Sequence, residues 1–199
     1  MMFHKIIYYK KVESTNNLLS ELVDEKKIND NLVLVSDYQT NGKGQRGKKW
    51  YSANNKNLLF SIFIKPRNYL NNQQEYLNII TSLSIIYTLK KYIKDAVINI
   101  KTPNDILIDG HKISGILIET SIFKKKIKKI IIGVGINVNQ IKFSFKENNP
   151  ISIKRILKKN IDKNELLNLF LEKFTFFFNC LKDKKYEFLD NEYSIFLKD

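Results

Sequence analysis

The stretch Ile106-Leu-Ile-Asp-Gly-His-Lys-Ile-Ser-Gly-Ile-Leu-Ile-Glu119 carries the strongest signal for the fold. Its Asp109-Gly110 step is typical of a two-residue hairpin turn, and apolar segments flank the turn on both sides. Residues 130–138 are almost continuously apolar, which predicts a central strand buried on both faces. Before this strand, the lysines of residues 124–129 predict a second, charged turn. Strands that follow one another through hairpins predict a mostly antiparallel sheet.

Apolar residues at helical spacing predict helices between and after the strands. Ser14 or Thr15 suits the N-cap of a first helix, and a long helix is expected over residues 74–94. Pro150 is expected to begin a short helix, and Asp162 to cap another long one. The remaining predicted strands cover residues 3–9, 32–35, 58–64 and 97–100. The fold class is therefore α+β, with a mixed, mostly antiparallel sheet flanked by helices.

The composition favours one globular domain, because 199 residues are enough to bury a substantial core. The net charge is +14, but only three cations are arginine, the residue that specific nucleic-acid readout favours. We interpret the lysines as solvated surface that reflects AT-rich codons. No apolar run reaches the length of a membrane span, and no signal peptide is apparent. The single cysteine, Cys180, and the nearby Phe176 and Phe177 are predicted to be core, and a reducing cytoplasm fits.

Residues 39–50, hereafter the glycine loop, read Gln39-Thr-Asn-Gly-Lys-Gly-Gln-Arg-Gly-Lys-Lys-Trp50 and concentrate three glycines and four cations. Glycine permits close backbone approach, and cations suit an anionic ligand. The segment nearly matches the phosphate loop of nucleotide hydrolases, but Lys49 stands where that loop needs a hydroxyl for magnesium. The polar residues that follow do not predict the helix that such a loop begins. A phosphate loop is therefore disfavoured, and a solvated basic hairpin tip stays an alternative.

Five segments in order carry a family resemblance: Glu13-Ser-Thr-Asn16, the glycine loop, Lys101-Thr-Pro-Asn-Asp-Ile106, Lys112-Ile-Ser-Gly-Ile-Leu-Ile-Glu119 and Gly133-Val-Gly-Ile-Asn-Val-Asn139. Together they resemble the catalytic domain of the biotin protein ligases, also called biotin–acetyl-CoA-carboxylase ligases. The resemblance is close over about residues 3–140 and looser over the C-terminal helices expected at about residues 150–197. It implies the fold shared by class II aminoacyl-tRNA synthetases and by biotin and lipoate ligases.

This resemblance implies that residues 1–199 form a single catalytic domain. A helix-turn-helix domain is not expected before it, and the small SH3-like domain usual at the family's C-terminus is expected to be absent. The implied reaction joins biotin to ATP as biotinyl-5′-AMP, and then passes biotin to a lysine of the biotin carboxyl carrier protein of acetyl-CoA carboxylase. Biotin, ATP and Mg²⁺ are the implied ligands. A monomer or weak homodimer is expected, with no membrane and no specific nucleic acid as partner.

The resemblance also implies roles for individual residues. The biotin site would include Ser14, Thr15, Asn16, Gln39, Lys43, Gly44, Gln45, Lys112 and Gly115. The nucleotide would meet Lys48, Trp50, Asn104, Asp105 and Asn137, with Asp105 as the Mg²⁺ ligand. Lys112 and Arg46 would be the catalytic residues. Their charges would be enough, because joining a carboxylate to a phosphate needs positioning and charge neutralisation rather than a side-chain nucleophile.

Each segment also has an ordinary structural interpretation. Residues 14–16 would cap a helix in any protein, and an Asn104-Asp105 pair after Pro103 is common turn chemistry. Because Lys112 lies beside a hairpin turn, it could equally be an ordinary surface lysine. The glycine content of the glycine loop predicts a segment that orders when ligand binds.

Three positions depart from the family pattern. Lys43 and Lys48 replace the usual arginines and Thr102 replaces a tryptophan, so an adenylate is expected to be held less tightly. A lipoate– or octanoate–protein ligase of the same fold stays an alternative, as does a degenerate protein that binds biotin without turnover. A lysine-rich nucleic-acid-binding protein is disfavoured, because most aromatic residues lie on apolar faces instead of alternating with cations.

Overall fold

The computed structural model describes residues 2–3, 5–66, 74–124, 126–143 and 149–197. The chain divides into two compact units, which are described separately. The first unit comprises Met1–Gln74 and Ile116–Gly135, and the second comprises Glu75–Gly115 and Ile136–Asp199. In chain order the elements are β1 (Ile6–Tyr9), α1 (Thr15–Asp24), β2 (Leu32–Ser36), a short 3-10 helix (Gln45–Gly47), β3 (Leu58–Ile64), α2 (Gln74–Tyr92), β4 (Ile98–Lys101), β5 (Asp105–Ile108), β6 (His111–Phe123), β7 (Lys126–Ile136), α3 (Ile153–Leu157), α4 (Lys163–Lys182) and α5 (Tyr186–Ser194).

The first unit is a mixed sheet with one helix on it. Its strand order is β1-β2-β3-β7-β6. β1 pairs with β2 in parallel, and β2 pairs with β3 antiparallel, with Val33 opposite Ile62. Every residue of β2 and β3 is buried, which is why both read as apolar runs. Helix α1 contributes Leu19 to the core, which also contains Ile28, Leu32, Leu34, Phe63 and Ile131.

The second unit contains the hairpin that the sequence predicts. Its strand order is β6-β5-β4, all antiparallel, with Ile98 opposite Ile108 and Asp105 opposite Gly115. The turn residues Asp109 and Gly110 both have positive φ, 48° and 80°, as a type I′ turn requires. The α+β class with a mixed sheet and flanking helices is therefore confirmed.

Helices α2 to α5 belong to the second unit apart from the first residue of α2, which is Gln74. Asp162 caps α4 by accepting hydrogen bonds from two backbone N–H groups, as predicted. Tyr87 of α2 donates to Glu192 of α5, and burial followed by this bond raises the pKa of Tyr87 to about 12. Burial also raises the pKa of the Cys180 thiol, consistent with a core cysteine. No helix within the described residues is long and apolar enough to cross a membrane.

Three local predictions were wrong. β7 already begins at Lys126, so the charged turn is shorter than residues 124–129, because the buried Ile127 anchors this lysine-rich segment in the strand. Helix α3 begins at Ile153 behind a Ser152 cap, whereas Pro150 pairs with Lys112 in a β-bridge. Phe176 is 54% exposed although Phe177 is buried, since consecutive helix residues point about 100° apart.

Candidate functional site

The first group of predicted site residues lies at the start of α1 in the first unit. Ser14 is the N-cap, and its hydroxyl accepts a hydrogen bond from the Asn17 N–H at 3.5 Å. The side chains of Ser14, Thr15 and Asn16 are buried despite their polarity. Buried polar groups need partners, so the neighbours of these side chains define what the segment does beyond capping.

Thr15 and Asn16 form a connected amide–hydroxyl network with Gln39 and Ser61. Oε1 of Gln39 accepts from the Thr15 N–H at 2.7 Å and from the Thr15 hydroxyl at 3.0 Å. The Ser61 hydroxyl, on β3, lies 2.7 Å from the Thr15 oxygen and 2.5 Å from Oδ1 of Asn16. Because Oε1 is committed to Thr15, the amide nitrogen of Gln39 faces the opposite side. The network therefore fixes the orientation of Gln39.

Asn16 is held from both ends of its amide. Its nitrogen donates to Oε2 of Glu119 at 2.7 Å and to the Leu117 carbonyl at 3.4 Å, while Ser61 contacts its oxygen. A side chain at Gly133 would overlap this amide, which explains a glycine in the middle of β7. Ser61 and Glu119 were not predicted as site residues. The signal for Ser61 was a lone hydroxyl in an otherwise apolar strand.

The glycine loop is a closed hairpin. The Trp50 N–H donates to the Gly42 carbonyl at 2.8 Å and the Gly44 N–H to the Lys48 carbonyl at 2.7 Å, with a bridge between Lys43 and Lys49. At its tip Arg46 has a left-handed conformation, with φ 54° and ψ 42°. A hairpin tip was the structural alternative for this segment; ordering on ligand binding stays a prediction.

Lys43 and Trp50 attach this hairpin to strands of the first unit. Nζ of Lys43 lies 3.7 Å from Oε1 of Glu119 on β6, an ion pair that is about half exposed. The ring of Trp50 packs on β7 so closely that a Cβ at Gly135 would lie 2.5 Å from it. Arg46 and Lys48 are exposed in the same hairpin, so the loop offers cations to an anion.

The second group of predicted residues lies in the second unit and is built on charge. Nζ of Lys112 lies 2.7 Å from Oδ1 of Asp105, and each side chain is only 17% exposed. We call these two residues the lysine–aspartate pair. The backbone of Lys112 is fixed as well: its N–H donates to the Asn149 carbonyl at 3.3 Å, and its carbonyl accepts from Ile151 at 2.9 Å. Lys112 is thus a positioned, mostly buried cation and not a plain surface lysine.

Asn137 and Gly115 accompany the lysine–aspartate pair. The Asn137 side chain donates to the Lys112 carbonyl at 3.4 Å, and its backbone N–H donates to Ile113 at 2.8 Å. Gly115 lies opposite Asp105 in the β5–β6 register. Asn104 is half-buried in the turn before β5. Among the described residues, no group of three or more His, Cys, Asp or Glu side chains could hold a metal ion.

The predicted site residues therefore fall into two sets. Within the first unit the structure gathers Ser14, Thr15, Asn16, Gln39, Lys43, Gly44, Gln45, Arg46, Lys48 and Trp50 around the start of α1 and the glycine loop. Within the second it gathers Asn104, Asp105, Lys112, Gly115 and Asn137 around the β5–β6 hairpin. The role of each residue toward a ligand stays a prediction.

Comparison with known proteins identifies the class. A model of the biotin/lipoate A/B protein ligase family matches residues 8–137, which is more than half of the chain. The chain therefore belongs to this family of protein ligases. A solved biotin protein ligase from Aquifex aeolicus, in complex with biotin and ATP, superimposes with a TM-score of 0.84 at 27% identity. The match covers 98% of this chain and 79% of that one.

Sequence relatives agree with the structural match. The bifunctional ligase/repressor BirA of Bacillus subtilis is 31% identical over 140 residues, which is 70% of this chain and 42% of the relative. The biotin–[acetyl-CoA-carboxylase] ligase of Mycobacterium tuberculosis is 28% identical over 130 residues, covering 64% of this chain and 47% of the relative. The chain thus aligns with less than half the length of these relatives.

Proposed function

We propose that the chain is a biotin–protein ligase. In the first step a biotin carboxylate oxygen attacks the α-phosphorus of ATP, giving biotinyl-5′-AMP and releasing pyrophosphate. In the second, the amine of a carrier-protein lysine attacks the biotinyl carbonyl and AMP leaves. The carrier would be the biotin carboxyl carrier protein of acetyl-CoA carboxylase, as the names of the relatives suggest. The observation that carries the proposal is the amide–hydroxyl network of the first unit.

This network suits a neutral urea. Gln39 presents its amide nitrogen away from Thr15, and a Cβ at Gly42 would lie only 2.9 Å from that nitrogen. Glycine at position 42 therefore lets the backbone of the glycine loop lie close against this amide and against the Trp50 carbonyl, which holds the donor in place. The ureido ring of biotin has one carbonyl acceptor and two N–H donors, which a set of neutral amides and hydroxyls can satisfy.

The same network argues against lipoate. The dithiolane ring of lipoate offers no good hydrogen-bonding group, so burying it against Gln39 would leave polar atoms unsatisfied. Each buried polar group without a partner costs roughly 1–3 kcal/mol. The lipoate or octanoate alternative is therefore less favourable on physical grounds, although the family includes both classes of ligase.

Lys112 would supply charge in the adenylation step. Two anions, a carboxylate and a triphosphate, must approach each other, and a preorganised cation stabilises the charge that develops in the transition state. The ion pair with Asp105 holds the ammonium group in place. Asn137 and the Asn149 backbone restrain the Lys112 backbone, so the cation is fixed at its stem as well.

Arg46 would bind the phosphate of the adenylate from the tip of the glycine loop. Guanidinium groups bind phosphate through two parallel hydrogen bonds, which ammonium groups do not provide. With Lys43 and Lys48 in place of arginines, Arg46 carries that role alone within the loop. Thr102 in place of a tryptophan removes an aromatic surface, so we expect the adenylate to leave faster than from a ligase that has both.

Magnesium would come with the triphosphate. Asp105 offers one carboxylate, and Mg²⁺ in nucleotide sites commonly uses one or two protein carboxylates together with substrate phosphates. Oδ1 of Asp105 is taken by Lys112, so the second oxygen is the one that fits a metal ligand. When bound, the ion would neutralise phosphate charge.

Pyrophosphate release tests this function directly. The protein is incubated with ATP, Mg²⁺ and either biotin, lipoate or octanoate, and transfer to a biotin carboxyl carrier domain follows. Of the three acids, we expect only biotin to cause pyrophosphate release. We also expect biotin to become attached to the lysine of the carrier domain. Release with lipoate instead would favour the other branch of the family. Well-folded protein that binds biotin but releases no pyrophosphate would support the degenerate alternative.

A further inference from the structure

We propose that Glu119 is a positioning residue for the biotin site, acting through Asn16 and through the glycine loop. The inference rests on the proposed function for its effect on biotin. Glu119 lies on β6 in the first unit, where each of its carboxylate oxygens has a different partner. Oε2 accepts from Asn16 at 2.7 Å, and Oε1 pairs with Lys43 at 3.7 Å.

The contact with Asn16 sets the orientation of an amide. An asparagine amide can be turned over, exchanging its donor and acceptor. Glu119 accepts only, so it requires the nitrogen of Asn16 on its side, and the oxygen then faces Ser61. Ser61 also reaches Thr15, whose hydroxyl and N–H hold Gln39. The carboxylate of Glu119, together with the more distant Leu117 carbonyl, therefore sets the orientation of Asn16, and Asn16 joins the rest of the amide–hydroxyl network through Ser61.

The contact with Lys43 holds one side of the glycine loop. The hairpin rests on the strands through Trp50, which packs on Gly135, and through Lys43, which reaches Glu119. The first contact is apolar and depends on shape, whereas the second is an ion pair that one substitution removes. An ion pair about half exposed to solvent is weak, so its loss loosens the loop without unfolding the unit.

Two substitutions separate the roles. Glu119→Gln keeps an oxygen that can accept from Asn16 but removes the charge that pairs with Lys43. Glu119→Ala removes both contacts. Trp50 is the only tryptophan of the chain, so its fluorescence reports on the glycine loop alone. Glu25→Gln is the matched control, because Glu25 forms an exposed ion pair with Lys27 at 2.8 Å in the same unit.

The experiment measures acrylamide quenching of Trp50 without ligand, and then biotin affinity by calorimetry. For Glu119→Gln we expect quenching to rise and biotin affinity to fall about two- to fivefold, the range that an exposed ion pair supports. For Glu119→Ala we expect the same rise in quenching and an affinity loss of about tenfold or more, since Asn16 loses its orientation as well. Glu25→Gln is expected to leave both quantities unchanged.

The outcomes separate the inference from the proposed function. Unchanged Trp50 quenching in both Glu119 variants would show that Glu119 does not hold the glycine loop, whatever the measured biotin affinity. Equal biotin affinity in the Gln and Ala variants would overturn the role toward Asn16. If the unmodified protein binds no biotin, the proposed function fails, yet the quenching comparison still decides whether Glu119 holds the loop. In active protein, a rise in KM for biotin with kcat unchanged supports positioning rather than a chemical role.

Discussion

The two units hold their candidate site residues by different forces. In the first unit, neutral amides and hydroxyls fix one another through hydrogen bonds between 2.7 and 3.0 Å that join Thr15, Gln39 and Ser61. In the second, a single ion pair between Lys112 and Asp105 dominates, with both side chains mostly buried. A neutral network specifies direction and shape, whereas a positioned charge stabilises charge that develops during reaction. Under the proposed function, this difference predicts that the network of the first unit serves recognition and that the lysine–aspartate pair of the second serves rate acceleration.

Removing the positive charge of Lys112 is expected to have the largest effect on activity. Lys112→Ala should lower the rate of biotin-dependent pyrophosphate release about 10²–10³-fold, as loss of one preorganised electrostatic contact does in other enzymes. Biotin binding should change far less, because the amide–hydroxyl network lies in the first unit and is untouched. Rapid-quench measurement of adenylate formation checks the rate, and calorimetry checks the binding.

The control for this prediction is Lys173→Ala, which removes a partly exposed lysine of α4 paired with Glu172. It should leave the rate unchanged. A near-normal rate for Lys112→Ala, in protein whose circular dichroism matches the original, would remove Lys112 from the chemistry. Equal losses of rate and biotin affinity would break the division of labour between the units.

The second-largest effect is expected from a substitution that disturbs the packing of the amide–hydroxyl network. Gly133→Ala would place a methyl group on the Asn16 amide, which Ser61 and Glu119 hold from both sides. Overpacking of this kind typically costs about 1–3 kcal/mol of unfolding free energy. We expect that loss in urea denaturation, with biotin binding weakened about tenfold or more since Asn16 cannot turn without breaking the network.

Gly135→Ala is the matched comparison, since it lies on the same face of β7 two residues further on. Its methyl group would meet the Trp50 ring instead of Asn16. It should shift Trp50 fluorescence strongly, whereas Gly133→Ala should leave that emission almost unchanged. The reverse pattern would show that the two glycines do not make the contacts described for them.

Much of the fold was predictable because its signals are local. The Asp109-Gly110 turn, the Ser14 and Asp162 caps and the buried strands depend on residues next to one another in the chain, and the structure bears them out. Where local signals competed, prediction failed. Pro150 suits the first turn of a helix, but its segment pairs with Lys112 and the Ser152 hydroxyl caps the helix instead.

The candidate site was predictable only as a set of positions. Motif order named Thr15, Gln39 and Lys112, but no local pattern indicates which partners they contact. Ser61 reaches Asn16 across 45 residues and Glu119 reaches it across 103, so only the folded sheet brings them together. Long-range contacts of this kind depend on strand order, which one sequence without relatives does not reveal.

A smaller effect is expected from the arginine of the glycine loop. Arg46→Gly should speed release of biotinyl-5′-AMP about tenfold, roughly the value of one charged hydrogen bond. The substitution is a clean one, because Arg46 already has a left-handed backbone at φ 54° that glycine adopts without penalty. Loss of folding therefore does not explain a faster release, which chase experiments with unlabelled biotin measure.

Arg46→Lys sharpens the same prediction. Lysine keeps the positive charge but loses the planar guanidinium that can form two parallel hydrogen bonds with phosphate. The rate of adenylate release should therefore lie between those of the original protein and the glycine variant. Equal release from all three would mean that Lys43 and Lys48 neutralise the adenylate without help from Arg46. Biotin affinity in the absence of ATP should be almost unchanged in both variants, because the neutral network recognises the ring.

The smallest expected effect comes from salt, and it tests the comparison without any substitution. Biotinol replaces the carboxylate of biotin by a neutral alcohol, so it engages the amide–hydroxyl network without a charge for Lys112 to attract. Its affinity should weaken less than that of biotin when salt rises from about 0.05 to about 0.5 M, since the network itself is neutral and only the half-exposed Lys43–Glu119 ion pair beside it is screened. Biotin itself should weaken about two- to threefold over the same range, a modest change because the lysine–aspartate pair is mostly buried and thus poorly screened. Equal salt sensitivity for the two ligands would mean that the ring, too, is held by charge, and the distinction between the neutral amide–hydroxyl network and the charged lysine–aspartate pair would be lost.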